Sequence, residues 1–175
     1  MEYDLESRPI DARGRNSYSE RFIHSEIYRV RQDVNAVVHC HTASIVPFSI
    51  SRTPLRPVYH MSSFIGEGIP VFDIRAAVGM TDMLVKDVAS GRALAQVLGM
   101  KPAALMRGHG AAVVGASLPI AVGRAIYLDL NARMQAQAMA LGGQPVYLDP
   151  EEARLATVPG QYDRGWELWK REVAK

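Results

Sequence analysis

Residues 35–42 read Asn-Ala-Val-Val-His-Cys-His-Thr, and this stretch decides how the rest of the chain is read. Val37 and Val38 are β-branched and favour extended backbone. The run has the length of a buried strand. Along a strand, side chains two apart point to one face. His39 and His41 therefore stand side by side, while Cys40 points the other way, into a core. Two imidazoles on one face of an apolar strand are costly to bury unless their nitrogens find partners. A divalent metal satisfies them well, since neutral imidazole is its commonest protein ligand. One histidine hydrogen-bonded in the core and the other exposed at the strand end would satisfy them too. Spacing alone leaves these two readings even.

Upstream, SYSERFIHSEIYRVR (residues 17–31) places Phe22, Ile23, Ile27 and Val30 at helical spacing, with Ser17 as a good N-cap. Ser17-x-x-Glu20 has the form of a capping box, which accounts for Glu20 without any chemistry. A carboxylate at a helix start facing a metal would instead be a natural acid/base. His24 lies one turn on from Glu20, on the same face, as a packing or hydrogen-bonding residue behind the site.

Downstream, a short helix is expected through Ser44 to Phe48. Residues 53–80 carry Pro54, Pro57, Gly66, Gly68, Pro70 and Gly79. They predict irregular structure with short strands around Val58 and Val71-Phe72. Thr81 caps a predicted helix with Met83, Leu84, Val88, Leu94 and Leu98 on its apolar side, stopped by Gly99. PAALM and AAVVG read as two short strands around the turn Arg107-Gly108-His109-Gly110. Glycines there let the backbone turn tightly and bring the ring close to a ligand. Alone, that turn is better explained as an ordinary hairpin. Beside His-x-His it makes a three-histidine site plausible, with positions left open as catalytic metals need. Ser117 caps a long helix, with Pro119 in its first turn, running to Leu141 and ended by Gly142-Gly143. DPEE then opens a tail whose amphipathic helix bears Trp166 and Trp169. Strands and helices alternate without a strict βαβ rhythm. The class is α/β with a mixed or antiparallel sheet, one domain over residues 1–175.

The 20 Lys+Arg and 18 Asp+Glu leave a net charge of +2, and 48% of the residues are apolar, as in a globular domain. The first 31 residues hold six Arg against six Asp+Glu, so no basic stripe for nucleic acid forms. No apolar run reaches a membrane span, and the start is unlike a signal peptide. The single Cys40 fits a reducing compartment, so a cytoplasmic enzyme is expected. Sixteen of the basic residues are Arg, which suits bidentate binding of carboxylates. Arg107 is the best placed, two residues from His109. His60 sits in PVYHMSSFIGEG beside Ser62 and Ser63, polar groups suited to lining a pocket. No phosphate-binding glycine loop, nucleophile elbow or dinucleotide fingerprint is present.

From about Tyr18 to Glu152 the chain resembles the class II aldolase/adducin family, through SERFIHSEIYR, VNAVVHCHT, the RGHG turn and the long helix with YLDLNARMQAQA. The resemblance implies an α/β/α sandwich around a mainly antiparallel sheet, and a homotetramer with active sites between subunits. It implies a divalent metal on His39, His41 and His109, with Glu20 as the acid/base residue. LRPVYHMSSFIGEGIPVFDIR, DMLV, GRALAQVLG and ALMRGHGAAVVG look like the branch that decarboxylates hydroxylated aromatic, pyridine or muconate-type dicarboxylates. YSERFIHSEIYR is especially similar to its 3-hydroxy-2-methylpyridine-4,5-dicarboxylate decarboxylases. Family members carry a further amino-terminal segment, with part of the sheet and a Gly-Asn loop for the substrate anion. MEYDLES looks like the end of that segment, so either a short form with a rebuilt fold or a missing upstream part is expected.

The chemistry so implied turns on the carbanion left when a carbon–carbon bond breaks. A metal chelated by a substrate oxygen and an adjacent carboxylate would spread that charge as an enolate or phenolate. Glu20 would protonate the carbon, while Arg107, His60 and Ser62 are candidates to orient the substrate. Zinc or manganese suits three imidazoles with open positions, and iron is possible. Two other readings remain: an aldolase or epimerase acting on a sugar phosphate, and a non-catalytic adducin-like scaffold or inactive truncated subunit.

Overall fold

The computed structural model describes residues 1–174. Its sheet has four strands in the order β1 (Ala36–Cys40), β4 (Gly110–Gly115), β3 (Ala103–Met106), β2 (Val71–Phe72). β1 pairs antiparallel with β4 and β4 with β3, while β2 runs parallel to β3. That parallel pair needs a crossover, supplied by helices α3 (Ile74–Val78) and α4 (Val88–Leu98). β3 and β4 are buried on both faces, which explains their unbroken apolar sequence, where alternation would mark a half-exposed strand. Helices cover both sides. On one, Ile23 and Ile27 of α1 (Arg21–Val30) and Leu94 and Leu98 of α4 pack on Ala104, Met106, Ala112 and Val114. On the other lie α2 (Val46–Ile50), a 3-10 helix at His60–Ile65 and the long α5 (Leu118–Ala140). There Phe48, Ile65, Leu128 and Ala132 pack on Leu105, Ala111 and Val113. The chain is thus an α/β/α sandwich. Among the described residues, no helix is long and apolar enough to cross a membrane.

Several boundaries differ from the sequence expectation. α1 begins at Arg21, its N-cap is Glu20, and no side chain caps it. Ser17 is therefore outside the helix and the capping box does not form. The helix expected from Thr81 begins only at Val88, where Asp87 accepts the Ser90 amide. Residues 79–86 are irregular, with Met83 in the left-handed region at φ 71°.

No strand forms at Val58. Its amide donates to Oδ1 of Asn131 on α5, and Asn131 Nδ2 donates to the Arg56 carbonyl. One turn on, Gln135 takes the Arg56 amide and gives a bond to the Pro54 carbonyl. Two fully buried side chains thus supply what a neighbouring strand would have given residues 54–58. Asn131→Leu strands two of those backbone groups and costs about 2–6 kcal/mol of stability, from ~1–3 kcal/mol per orphaned group. Urea unfolding followed by circular dichroism measures it.

The tail forms α6 (Pro150–Ala156), opened by a capping box between Asp149 and Glu152, then α7 (Asp163–Val173). α7 is moored by Tyr162, buried against α5 and stacked on Tyr127. Gly123 makes that approach possible, since a Cβ there would lie 2.4 Å from the Tyr162 ring.

Candidate metal centre

His39 comes from the end of β1 and His41 from the residue just after it, His109 from the turn between β3 and β4, and Glu20 from the start of α1. The β1–β4 pairing brings them together, with His39 opposite Ala112 and Cys40 opposite Ala111. Both glycines of the turn are needed. Gly108 has φ +64°, and a Cβ on Gly110 would sit 2.0 Å from the Cys40 carbonyl oxygen. Cys40 packs into the core on the α5 side of the sheet, away from the cluster.

The four ligand atoms lie within 4.8 Å of one another. His41 Nε2 is 3.0 Å from His39 Nε2 and 2.9 Å from His109 Nε2. Glu20 Oε2 is 3.2 Å from His39, 3.5 Å from His109 and 3.8 Å from His41. Two of these nitrogens have their protonation set from behind. His39 Nδ1 lies 3.0 Å from the Ala111 carbonyl, and His109 Nδ1 3.0 Å from the Met83 carbonyl. A carbonyl only accepts, so each Nδ1 carries the proton and donates. In the neutral rings each Nε2 is then a bare lone pair aimed at a carboxylate and another imidazole. Such an arrangement repels itself unless a cation or an extra proton sits in it. Metal–nitrogen bonds of 2.0–2.1 Å put ligand atoms about 3.3 Å apart in a tetrahedral site and about 2.9 Å apart at neighbouring octahedral positions. The observed spacings bracket both values, so the residues fit a divalent metal.

Burial alone would raise the Glu20 carboxyl, but in the metal-free cluster His109 and His39 donate to it once Nε2 takes up an extra proton, and with the Val85 amide they hold it well below the carboxylate range. The same contact with Glu20 raises His109. His41 is lowered, first by burial and then by its two neighbouring imidazoles. Its side chain is 61% exposed, so the cluster opens to solvent on that side. The segment 81–85 straps the site from behind through two backbone groups, the Met83 carbonyl on His109 and the Val85 amide on Glu20. Reading side chains could not find these, because the working atoms are main-chain and Met83 is no glycine.

The other candidates lie outside the four-residue cluster, though Arg107 lines a small cavity together with Met83 and His109. Arg107 forms an ion pair with Asp73 at 3.0 Å, off hydrogen-bonding angle. Ser62 is fully buried and donates to the Tyr127 carbonyl. His60 is exposed and stacks edge-on against Tyr59 in the α5-side layer. His60→Ala is expected to leave metal stoichiometry unchanged, as elemental analysis of the purified variant will show. Tyr162 gives its hydroxyl to the Met61 carbonyl, and burial pushes it up to about 12. His24 stands edge-on to Tyr18, lowered by burial.

Residues 1–136 match the family model for the class II aldolase and adducin N-terminal domain. The chain belongs to that family. It is 34% identical to decarboxylase tropJ of Talaromyces stipitatus, an alignment covering 96% of this chain and 72% of the relative. It is 30% identical to a 3,4-dihydroxyphthalate decarboxylase of Rhodococcus jostii, covering 87% of this chain and 62% of the relative. Among solved structures, an aldolase II superfamily protein from Pseudomonas syringae superposes with a TM-score of 0.77 at 23% identity, over 97% of this chain and 68% of the other. That last likeness concerns the fold alone.

Proposed function

We propose that the chain is the catalytic unit of a divalent-metal-dependent decarboxylase acting on a hydroxylated aromatic carboxylate. The observation that carries this reading is the convergence of three imidazoles and Glu20 around one point, with His39 and His109 fixed by carbonyls so that Nε2 faces inward. The two curated relatives above support it, since each is named a decarboxylase and one is named for a dihydroxyphthalate. His39, His41 and His109 hold the metal, zinc, manganese or iron. When bound, it supplies a Lewis acid for the charge that builds as a carbon–carbon bond breaks.

The remaining work falls to the chain itself. Glu20, ionised at neutral pH, accepts the proton of the substrate hydroxyl. The bond to the carboxyl carbon then breaks, carbon dioxide leaves, and its electron pair stays on the ring. Glu20 returns the proton to that carbon, directly or through water, and the phenolate oxygen is reprotonated from solvent. The exposed side of His41 gives the substrate its way in. A homotetramer in a reducing cytoplasm completes the proposal, on the family resemblance and the free Cys40; light scattering on the purified protein tests the assembly.

The deciding assay incubates metal-loaded protein with 3,4-dihydroxyphthalate and related hydroxy-aromatic carboxylates. Carbon dioxide with the matching decarboxylated phenol supports the reading. Cleavage of a sugar phosphate to an aldehyde, with no carbon dioxide from any aromatic acid, replaces it with an aldolase.

A further inference from the structure

At the far end of the sheet from the histidines lies a cavity of about 470 Å³. Val34 lines it, five residues before His39, so at ~3.3 Å per strand residue it stands about 17 Å from the cluster. Its walls include buried Phe64, Val114 and Ala153, with Arg31, Arg124 and Arg154 as the cationic residues and Asp33 as the acidic one. The three arginines are not equivalent. Arg31 is spent, bidentate on Asp33 and bonded to the Gly99 and Lys101 carbonyls. Arg154 pairs with Glu151 at the exposed rim. Arg124, on α5, makes one hydrogen bond, from Nη1 to the Val114 carbonyl at 2.7 Å, and lies over the Phe64 ring at 5.7 Å. Its Nε is buried without a hydrogen-bond partner, and among the described residues no carboxylate comes within ion-pair distance of it. The same guanidinium also lines an adjoining cavity of about 330 Å³.

A half-buried guanidinium without a directly paired carboxylate is costly; burial pushes Arg124 down from its ordinary value, and Asp33, beyond ion-pair distance across the same cavity, offsets this only in part. An anion removes that cost, and a carboxylate matches the guanidinium fork. Phe64 and Val114 give the cavity an apolar wall beside it, with Ser63 and Thr157 as polar lining, and the volume is that of a small-molecule pocket, about 300–1,000 Å³. We propose that this cavity is a second, non-catalytic binding site for a small organic carboxylate, its charge on Arg124 and its apolar or aromatic body against Phe64 and Val114. The site does not depend on the metal centre.

Calorimetric titration of the protein with benzoate tests it, with benzamide as the neutral analogue and inorganic phosphate as the anion without an apolar body. A His39→Ala/His41→Ala variant, titrated in parallel, removes binding at the metal centre. The expected result is saturable benzoate binding that survives in this variant, with no benzamide binding and weaker phosphate binding. Arg124→Met, checked for a native circular dichroism spectrum, should weaken benzoate at least about tenfold, the loss of one buried charge-assisted contact. Arg154→Glu, a change at the exposed rim, should weaken it about threefold through repulsion, and decides the matter if Arg124→Met fails to fold. Absence of saturable binding up to ~10 mM, a level weaker than any useful small-ligand site, overturns the proposal. So does binding unaffected by either arginine change, or binding lost in the histidine variant. Phosphate binding as tightly as benzoate overturns the assigned ligand class.

Discussion

His109→Ala is expected to abolish stoichiometric divalent-metal binding and to take turnover with it. Removing a residue that merely supports a metal ligand costs about 10–100-fold in affinity, so removing a ligand costs about 100-fold or more. Turnover should fall by at least ~10²–10³, the usual loss when one preorganised electrostatic partner of a transition state is removed. The geometry makes the loss specific to the ring. His109 sits on a turn whose two glycines remain, and the alanine methyl needs none of the space they provide. The Met83 carbonyl loses its donor, yet the strap stays tied to Glu20 through the Val85 amide. Elemental mass spectrometry beside the decarboxylation assay reads both effects, and circular dichroism reports the fold. A variant with normal metal content and normal turnover would remove His109 from the site. The wild type should also lose metal as acidity rises. Protons compete for imidazole nitrogens, and Glu20 raises His109, so competition there starts above the ordinary histidine value. Metal affinity should therefore decline as pH falls through the neutral range, and fluorescence competition titrations can follow it.

The parts legible in the sequence are those governed by short-range periodicity. His39 and His41 could be placed on one face, opposite Cys40, because a strand alternates every residue, and Cys40 indeed packs into the α5-side core. The α/β class and the RGHG hairpin follow from equally local signals, as does the stop of α4 at Gly99. Failures came where a distant group outbid the local rule. Ser17-x-x-Glu20 is a sound capping signal, yet the carboxylate is drawn instead to the Val85 amide and to three histidines distant in sequence. Val58 is itself β-branched, but α5 offers its amide a side-chain acceptor before any strand does. The Met83 residue that predicted a helix face adopts a left-handed turn, because its carbonyl is committed to His109. In the cluster itself, spacing could not choose between metal ligands and structural histidines. What favours metal is tertiary: both Nδ1 atoms face carbonyls that only accept, a fact no spacing encodes.

Glu20→Gln separates binding from chemistry. The amide has the shape of the carboxylate, and its oxygen can still accept the Val85 amide, now 3.1 Å from Oε1. The variant loses the negative charge and the ability to take up and return a proton. Turnover should drop by about 10²–10⁴, the range for a lost general acid/base. The three imidazoles remain, so metal should still bind, more weakly, and saturating metal should restore occupancy without restoring carbon dioxide release. Full rescue of activity by added metal would instead make Glu20 a ligand only. A second, independent signature lies in acid stability of the metal-free protein. The Glu20 carboxyl is held low in the fold, so the unfolded chain binds its proton first as pH falls. The stability it contributes is complete above the unfolded value near 4.5 and is lost as pH falls from there toward the lowered native value. Glutamine has no proton to exchange, so the variant's stability should fall less steeply below about pH 4.5 than that of the wild type. Urea midpoints measured from pH 3 to pH 6 distinguish the two slopes, and identical slopes would mean that the buried carboxylate is not held in the charged form that the proton transfer requires.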